Sequence, residues 1–184
     1  ELNCQSNQLT SLDLSSNTAL TFLQCQSNQL TTLDVSSNTA LTRLYCSDNQ
    51  LTNFDVSNNT ALNALRCYTN QLTSLDVSNN TALTYLDCSV NQLTNLDVSN
   101  NTALTHLSCA NNQLTSLDLS YNVNLEELFC QGNQLTYLNL KNGIHNTSNP
   151  DIMAGGNLLT CIEILDPAWA TANWTYENGN IDAG

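Results

Sequence analysis

A cysteine stands at Cys4, Cys25, Cys46, Cys67, Cys88, Cys109 and Cys130, and each is followed three places later by an asparagine, Asn7 through Asn133. The interval never varies over these seven copies. A fixed period constrains the fold more than composition does, because a unit this short cannot bury its own leucines and must stack on copies of itself. With Leu20 as position 1, the unit reads LTxLxCxxNQLTxLDVSxNTA, with cysteine at position 6 and asparagine at positions 9 and 19. The register breaks after Lys141, in NGIHNTSNPDIMAGGN, and a partial eighth copy, NLLTCIEIL, is read from Asn157.

Spacing within the unit sets the local structure. Positions 4 and 6 are apolar with a variable residue between them, the period of a strand with one face buried. Positions 14 and 16, in Leu-Asp-Val, repeat that pattern in the second half of the unit. Two short facing strands per coil are expected. The coils should stack ~4.8 Å apart through parallel in-register pairing, giving a rod on the order of 34 Å long.

The repeat resembles a bacterial leucine-rich repeat of the short nested type called IRREKO. Its position-6 cysteine and its LDVSxNTxL half are similar to cysteine-ladder repeats of the internalin J kind. The tail LLTCIEILDPAWATANW resembles the end caps of secreted leucine-rich-repeat proteins of the Bacteroidetes. The resemblance implies a mostly β, right-handed solenoid of about seven coils over residues 1–140, then an irregular last coil and short cap over 141–184. It also implies an extracellular or cell-surface, non-catalytic binding role.

Charge and hydropathy narrow the partners. Sixteen acids against three Lys and Arg leave a net charge of −13. Nucleic acid needs a basic surface to neutralise its phosphates, so it is an unsuitable partner, and anionic membranes are disfavoured for the same reason. No apolar run approaches the ~20 residues that span a bilayer. The chain opens inside a repeat, at Glu1-Leu2, and reads as a mature fragment. A missing cap or a preceding domain is expected there, and the chain should be a monomer or part of a larger multidomain protein.

The cysteine row has three readings. Disulfides between neighbouring coils have a suitable Cα spacing, but both side chains point the same way from in-register strands, and seven would leave one unpaired. Zinc needs four ligands converging tetrahedrally, which a straight row does not supply. Packing needs only a small apolar residue in a thin coil, and buried free cysteine serves as one. Packing is the favoured reading, with no cofactor and no metal expected. Cys161 falls at position 13, out of line with the row. It is either paired beyond Gly184 or covered by the tail. The resemblance assigns the asparagines of positions 9 and 19 to satisfying backbone groups in the turns. The N-x-Ser/Thr sequons at Asn58, Asn79, Asn100, Asn146 and Asn173 are read as by-products of the repeat.

Comparison of the copies with one another locates the candidate site. Core and turn positions barely change, whereas the outward strand positions 3, 5 and 7 change in nearly every copy. They carry Phe22, Arg43, Tyr85, His106 and Glu127 at position 3, Tyr45, Arg66, Asp87 and Phe129 at position 5, and Tyr68 at position 7. Aromatics and arginine dominate binding hot spots because they bury much area with few rotors and keep polar tips. Exposed here, they would have no folding role. Phe22, Arg43, Tyr45, Arg66, Tyr68, Tyr85, Asp87, His106 and Phe129 are therefore the candidate ligand-binding residues. A cation–π contact between Tyr45 and Arg66 and an ion pair between Arg66 and Asp87 are expected. The partner is a protein or a carbohydrate, since aromatics also stack on sugars.

The opposite face is regular. Asp13, Asp34, Asp55, Asp76, Asp97 and Asp118 form a row at position 15. Neighbours ~4.8 Å apart repel by about 0.9 kcal/mol even at the dielectric of water. Hydrogen bonds from the serine at position 17 could offset this, or bridging calcium could. Threonine rows at positions 2, 12 and 20 raise ice or crystal-surface binding, although position 12 has inward parity and should be partly buried. A spacer role in an adhesin is a further alternative. His106, Ser108 and Asp87 mimic a catalytic set, but a strand face offers no shelter from water, so no enzyme activity is expected. At the end, Asp166 is a good N-cap and Pro167 suits the first helical position, with Trp169 and Trp174 available to cover the last coil.

Overall fold

The computed structural model describes residues 1–144 and 151–173. Each coil opens with a strand at positions 3 to 5: β1 (Leu2–Asn3), β2 (Phe22–Gln24), β3 (Arg43–Tyr45), β4 (Ala64–Arg66), β5 (Tyr85–Asp87) and β6 (His106–Ser108). Then follow β7 (Ser116–Asp118), β8 (Glu127–Phe129), β9 (Tyr137–Leu140), β10 (Asp151–Met153), β11 (Cys161–Ile164) and helix α1 (Pro167–Asn173). The main sheet runs β1-β2-β3-β4-β5-β6-β8-β10, and a smaller sheet runs β11-β9-β7. Pairing in both is parallel and in register, so equivalent positions lie side by side, as Tyr45↔Arg66 and Arg66↔Asp87 do. The mostly β solenoid read from the period is the fold.

Two details differ from the sequence reading. The eighth copy starts at Asp151 rather than Asn157: Asp151, Ile152 and Met153 pair with Glu127, Leu128 and Phe129. Ile152 fills the leucine place and Ala154 the cysteine place, both buried. The longer preceding coil hides this register from a search at constant period.

The second half of the coil forms strands only near the C-terminal end, in β7, β9 and β11. The unpaired halves coincide with the column of position-19 asparagines. Asn80 Nδ2 donates to Val56 O and to Asn59 O of the preceding coil, each at 2.9 Å, and Asn38, Asn59, Asn101 and Asn122 repeat the pattern. In these coils side-chain amides, and not strand pairing, join the second halves. The column ends at Asn122, because Gly143 takes the place in the next coil. There the backbones close into a ladder.

Position 9 makes the stronger tie. Asn70 Nδ2 donates to Cys46 O and Cys67 O at 3.1 Å and to Tyr68 O at 3.3 Å, and its Oδ1 accepts from Leu51 N–H at 3.0 Å. One amide thus serves its own coil and the preceding one. Asn28, Asn49, Asn91, Asn112, Asn133 and Asn157 do the same. Each buried group left unpaired would cost about 1–3 kcal/mol. The position-19 ladder is weaker, since the Oδ1 atoms of Asn38, Asn59, Asn80, Asn101 and Asn122 are buried without a partner among the described residues.

Between these ties sits a column of left-handed backbone at position 8. Ser6, Ser27, Asp48, Thr69, Val90, Asn111, Gly132 and Gly156 have φ between 51° and 67°. The turn aims each N–H at the next coil, as Thr69 to Ser89 O at 3.0 Å and Val90 to Ala110 O at 2.9 Å. Thr69 and Val90 are β-branched, and such residues strain in this region.

The core is one thin column. Leu62, Leu65, Cys67, Leu72 and Val77 of a single coil have no exposed surface. The ladder cysteines are free, and all but the half-buried Cys4 are buried. Removal from water raises their thiols: Cys25 and Cys130 reach about 12, and Cys46, Cys67, Cys88 and Cys109 stand well above the ordinary value. The Cys88 thiol donates a long bond to Ser108 O at 3.5 Å. Packing, not pairing, is the role of this row. Cys161 is exposed. Helix α1 begins at Pro167, as expected, with Asp166 before it. The side chains of Trp169 and Trp174, with His145 and Asn146, fall outside the described residues.

Two outcomes follow from burial and backbone strain. A thiol reagent at mildly alkaline pH should label Cys161 fast and the buried ladder only after unfolding; fast labelling of several native thiols would contradict the packing. Val90→Asn should raise stability by about 1 kcal/mol, because asparagine tolerates left-handed backbone and Val90 contributes little packing there. An unchanged or lower unfolding midpoint in urea would argue against strain at position 8.

Candidate functional site

In-register stacking places positions 3 and 5 of successive coils one strand spacing apart, close enough for rings to touch. They do so without a break. The Arg43 guanidinium lies over the Phe22 ring at 4.0 Å, and Phe22 meets Tyr45 edge-on at 5.0 Å. Arg66 lies over Tyr45 at 4.6 Å and over Tyr85 at 4.8 Å, held between two phenols. Tyr85 is stacked on His106 at 4.1 Å with an interplanar angle of 5°, and His106 meets Phe129 at 5.6 Å. This chain of rings and cations crosses from β2 to β8, roughly 24 Å by strand spacing.

The expected Tyr45–Arg66 contact is present. The expected Arg66–Asp87 ion pair is not among those formed. Asp87 Oδ1 instead accepts from Ser89 N–H at 3.1 Å and Ser89 Oγ at 2.6 Å, while Arg66 is drawn toward Tyr85. Burial raises the Tyr85 phenol, and Arg66 opposes that shift. His106 Nδ1 meets Glu127 Oε2 at 2.5 Å. A carboxylate only accepts, so Nδ1 carries the shared proton. The Ser-His-Asp likeness is not assembled, since His106 turns to Glu127 and Ser108 is buried.

Exposure on this face is lower than the sequence suggests. Phe22 is only 8% exposed, and Tyr45, Arg66, Tyr68, Tyr85, His106 and Phe129 are half-buried. The side chains cover one another, so they have a folding role after all. Arg43 remains exposed. Among the described residues, neither arginine pairs with a carboxylate, and Arg66 Nε is buried without a partner.

On the other side, the aspartates are held locally. Asp13 Oδ1 accepts from Ser15 N–H at 3.0 Å and Ser15 Oγ at 2.7 Å. Ser36, Ser57, Ser78, Ser99 and Ser120 donate their N–H groups to Asp34, Asp55, Asp76, Asp97 and Asp118 in the same way. Bonds from the serine backbone, then its hydroxyl, lower the Asp13 and Asp55 carboxyls; for Asp34 and Asp76 the hydroxyl comes first. Among the described residues no three His, Cys, Asp or Glu side chains converge. Two open grooves cross this side, one of about 310 Å³ bordered by Asp97, Asp118 and Tyr121, the other of about 250 Å³ between Asp76 and Asp97. The sequence reading passed over the first. Its signal was Tyr121, a large residue in a small polar place, now 62% exposed. Position 12 is also corrected: Thr10, Thr31, Thr52, Thr73, Thr94, Thr115, Thr136 and Thr160 are exposed, because the chain has already turned the corner there and strand parity does not apply.

Stacked parallel coils with a leucine core, asparagine ties and one varied strand face define a solenoid of the leucine-rich-repeat class. The family model for leucine-rich repeats (two copies) matches residues 81–121 and 102–142. The chain carries leucine-rich repeats, and these are internalin-like. It is similar to the functional domain of InlJ from Listeria monocytogenes, described as including a cysteine ladder: 36% identity, TM-score 0.77, over 89% of this chain and 43% of that one. It is also similar to the internalin InlF from Listeria monocytogenes, at 26% identity and TM-score 0.69, over 86% of this chain and 47% of that one. YopM, a leucine-rich effector from Yersinia pestis, aligns at 27% identity and TM-score 0.71, over 86% of this chain and 44% of that one. The chain thus spans less than half of each of these relatives. No curated protein matches it. Solenoids of this class are typically protein-binding modules. No helix among the described residues is long and apolar enough to cross a membrane.

The aspartate row makes stability depend on pH with a definite sign. Its carboxyls are depressed in the folded state, so their contribution is present above the unfolded value of about 3.9 and is lost as pH falls through the folded values. The melting temperature should fall as pH drops below about 4, and less steeply in a variant with Asp34, Asp55, Asp76 and Asp97 all changed to Asn. Parallel curves for the two proteins would show that the serine bonds are not responsible.

Proposed function

We propose that this chain is a non-catalytic recognition module of a secreted or cell-surface bacterial protein, meeting a macromolecular partner through the varied face of β2 to β8. Phe22, Arg43, Tyr45, Arg66, Tyr68, Tyr85, Asp87, His106 and Phe129 form that face. One observation carries the reading. Variation between copies, both arginines and most of the Phe and Tyr residues coincide on a single side of a rod whose other surfaces repeat almost unchanged. The interlocked rings hold the face rigid before contact, which lowers the ordering cost of binding. The class supports a protein partner.

A regular-surface reading, such as ice binding, is favoured by the exposed threonine row at position 12.

A protein and glycan array tests both. The chain is compared with a variant carrying Tyr45→Ala, Arg66→Ala, Tyr68→Ala and Tyr85→Ala, its folding checked by circular dichroism. Hits lost in the variant establish the face. Hits that survive it, or thermal hysteresis with no hits, would move the function to the regular surfaces.

A further inference from the structure

The stacking on the varied face bears on what it can bind, and this step rests on the recognition role proposed above. Sugars dock on aromatic residues by laying a ring against an open π-face. Here the faces of Phe22, Tyr45 and Tyr85 are partly or wholly taken. Arg43 covers Phe22, Arg66 covers Tyr45, and Tyr85 has Arg66 on the β4 side and His106 on the β6 side. Where a ring is covered, its edge and the N–H groups of the covering guanidinium are what remains for a partner.

A guanidinium stacked on a ring is held flat. Its donors then lie in a fixed plane, the geometry that pairs with a carboxylate through two parallel bonds. Arg43 and Arg66 lie over rings at 4.0 to 4.8 Å, on adjacent strands, and among the described residues neither meets a carboxylate. The neighbouring acids are otherwise engaged: Asp87 with Ser89, Glu127 with His106. Ala64 sits in register between Arg43 and Tyr85. Its methyl group is the shortest side chain of the position-3 row, a step down between Arg43 and Tyr85 with Arg66 on the same strand, here called the notch. The chain carries a net charge of −13, yet distant charges are screened beyond about 8 Å at physiological salt, so the notch acts as a local basic spot.

We propose that the varied face binds an acidic polypeptide segment, with an Asp or Glu carboxylate of the partner seated at the Ala64 notch between Arg43 and Arg66. Apolar side chains beside that carboxylate lie along the ring edges. The guanidinium forks suit a carboxylate, and the covered rings of Phe22, Tyr45 and Tyr85 disfavour a sugar.

The test is selection of a random peptide display library on the immobilised chain, with a panel of sialylated and uronate glycans run beside it. Selected peptides should be enriched about twofold or more in Asp and Glu over the input library. The best peptide should bind about tenfold more weakly to Arg66→Gln and to Arg43→Gln, and to the wild type when its acids are changed to amides. Arg66→Lys should recover only part of the loss, because an ammonium keeps the charge without the planar fork. Arg43 is exposed, so its variant stays informative if Arg66→Gln disturbs the fold. Peptides with no acidic enrichment, binding indifferent to both arginines, or arginine-dependent binding of acidic glycans in place of peptides would overturn the inference. The two levels separate cleanly. Array hits lost in the four-site variant but unmoved by Arg43→Gln and Arg66→Gln leave the face as the site and remove the acidic partner. Hits unmoved by the four-site variant remove both.

Discussion

Each coil is joined to its neighbour at a bend where the position-9 asparagine stands in for missing backbone partners. Asn70 takes hydrogen bonds to carbonyls of two coils and receives one from Leu51 of the coil before it. The chain leaves a three-residue strand, passes through one left-handed residue and turns a corner with its polar groups satisfied. Without that amide, a thin coil would have to bury unpaired carbonyls. With it, the strand can be short, the corner tight and the core only one leucine layer deep. Stability becomes a sum over neighbouring coils, and the remaining positions are released from structural duty.

That release is unequal around the rod. Position 19 uses a second amide column, which joins the later halves of most coils where no strands pair. Position 15 uses an aspartate whose charge is held by the serine two residues on. The first ties each coil to the one before and the second acts within its own coil, and both recur up to Asn122 and Asp118. At positions 3 and 5 the constraint is different. A side chain there must only fit the side chains one strand away. Rings and guanidinium groups at that spacing stack, and the face becomes a continuous layer resting on the sheet. Variation from copy to copy is tolerated because neighbours compensate, as Arg66 does between Tyr45 and Tyr85.

The cysteine column illustrates the same economy. A leucine at position 6 would crowd the two sides of a coil, and a serine would leave a hydroxyl unpaired. A thiol fills the space, and burial pushes its pKa so high that it stays protonated and inert. Cys161, outside the column, is exposed to solvent.

The amino-acid sequence by itself determined the period, the inward leucines and cysteines, the parallel register and which face varies. All of these follow from identity between positions one repeat apart, and parallel stacking maps that identity directly onto space. Only the tertiary structure decided matters that depend on distance between coils. The eighth coil begins at Asp151 because a longer turn can still bring Ile152 under Leu128. The second strands wait until the Asn122 column ends. Thr52 and its equivalents face water because the corner cancels strand parity. Arg66 lies between two phenols, and Asp87 is bonded by Ser89 instead. Each outcome is a competition among groups within a few ångströms, and a linear pattern names the competitors without ranking them.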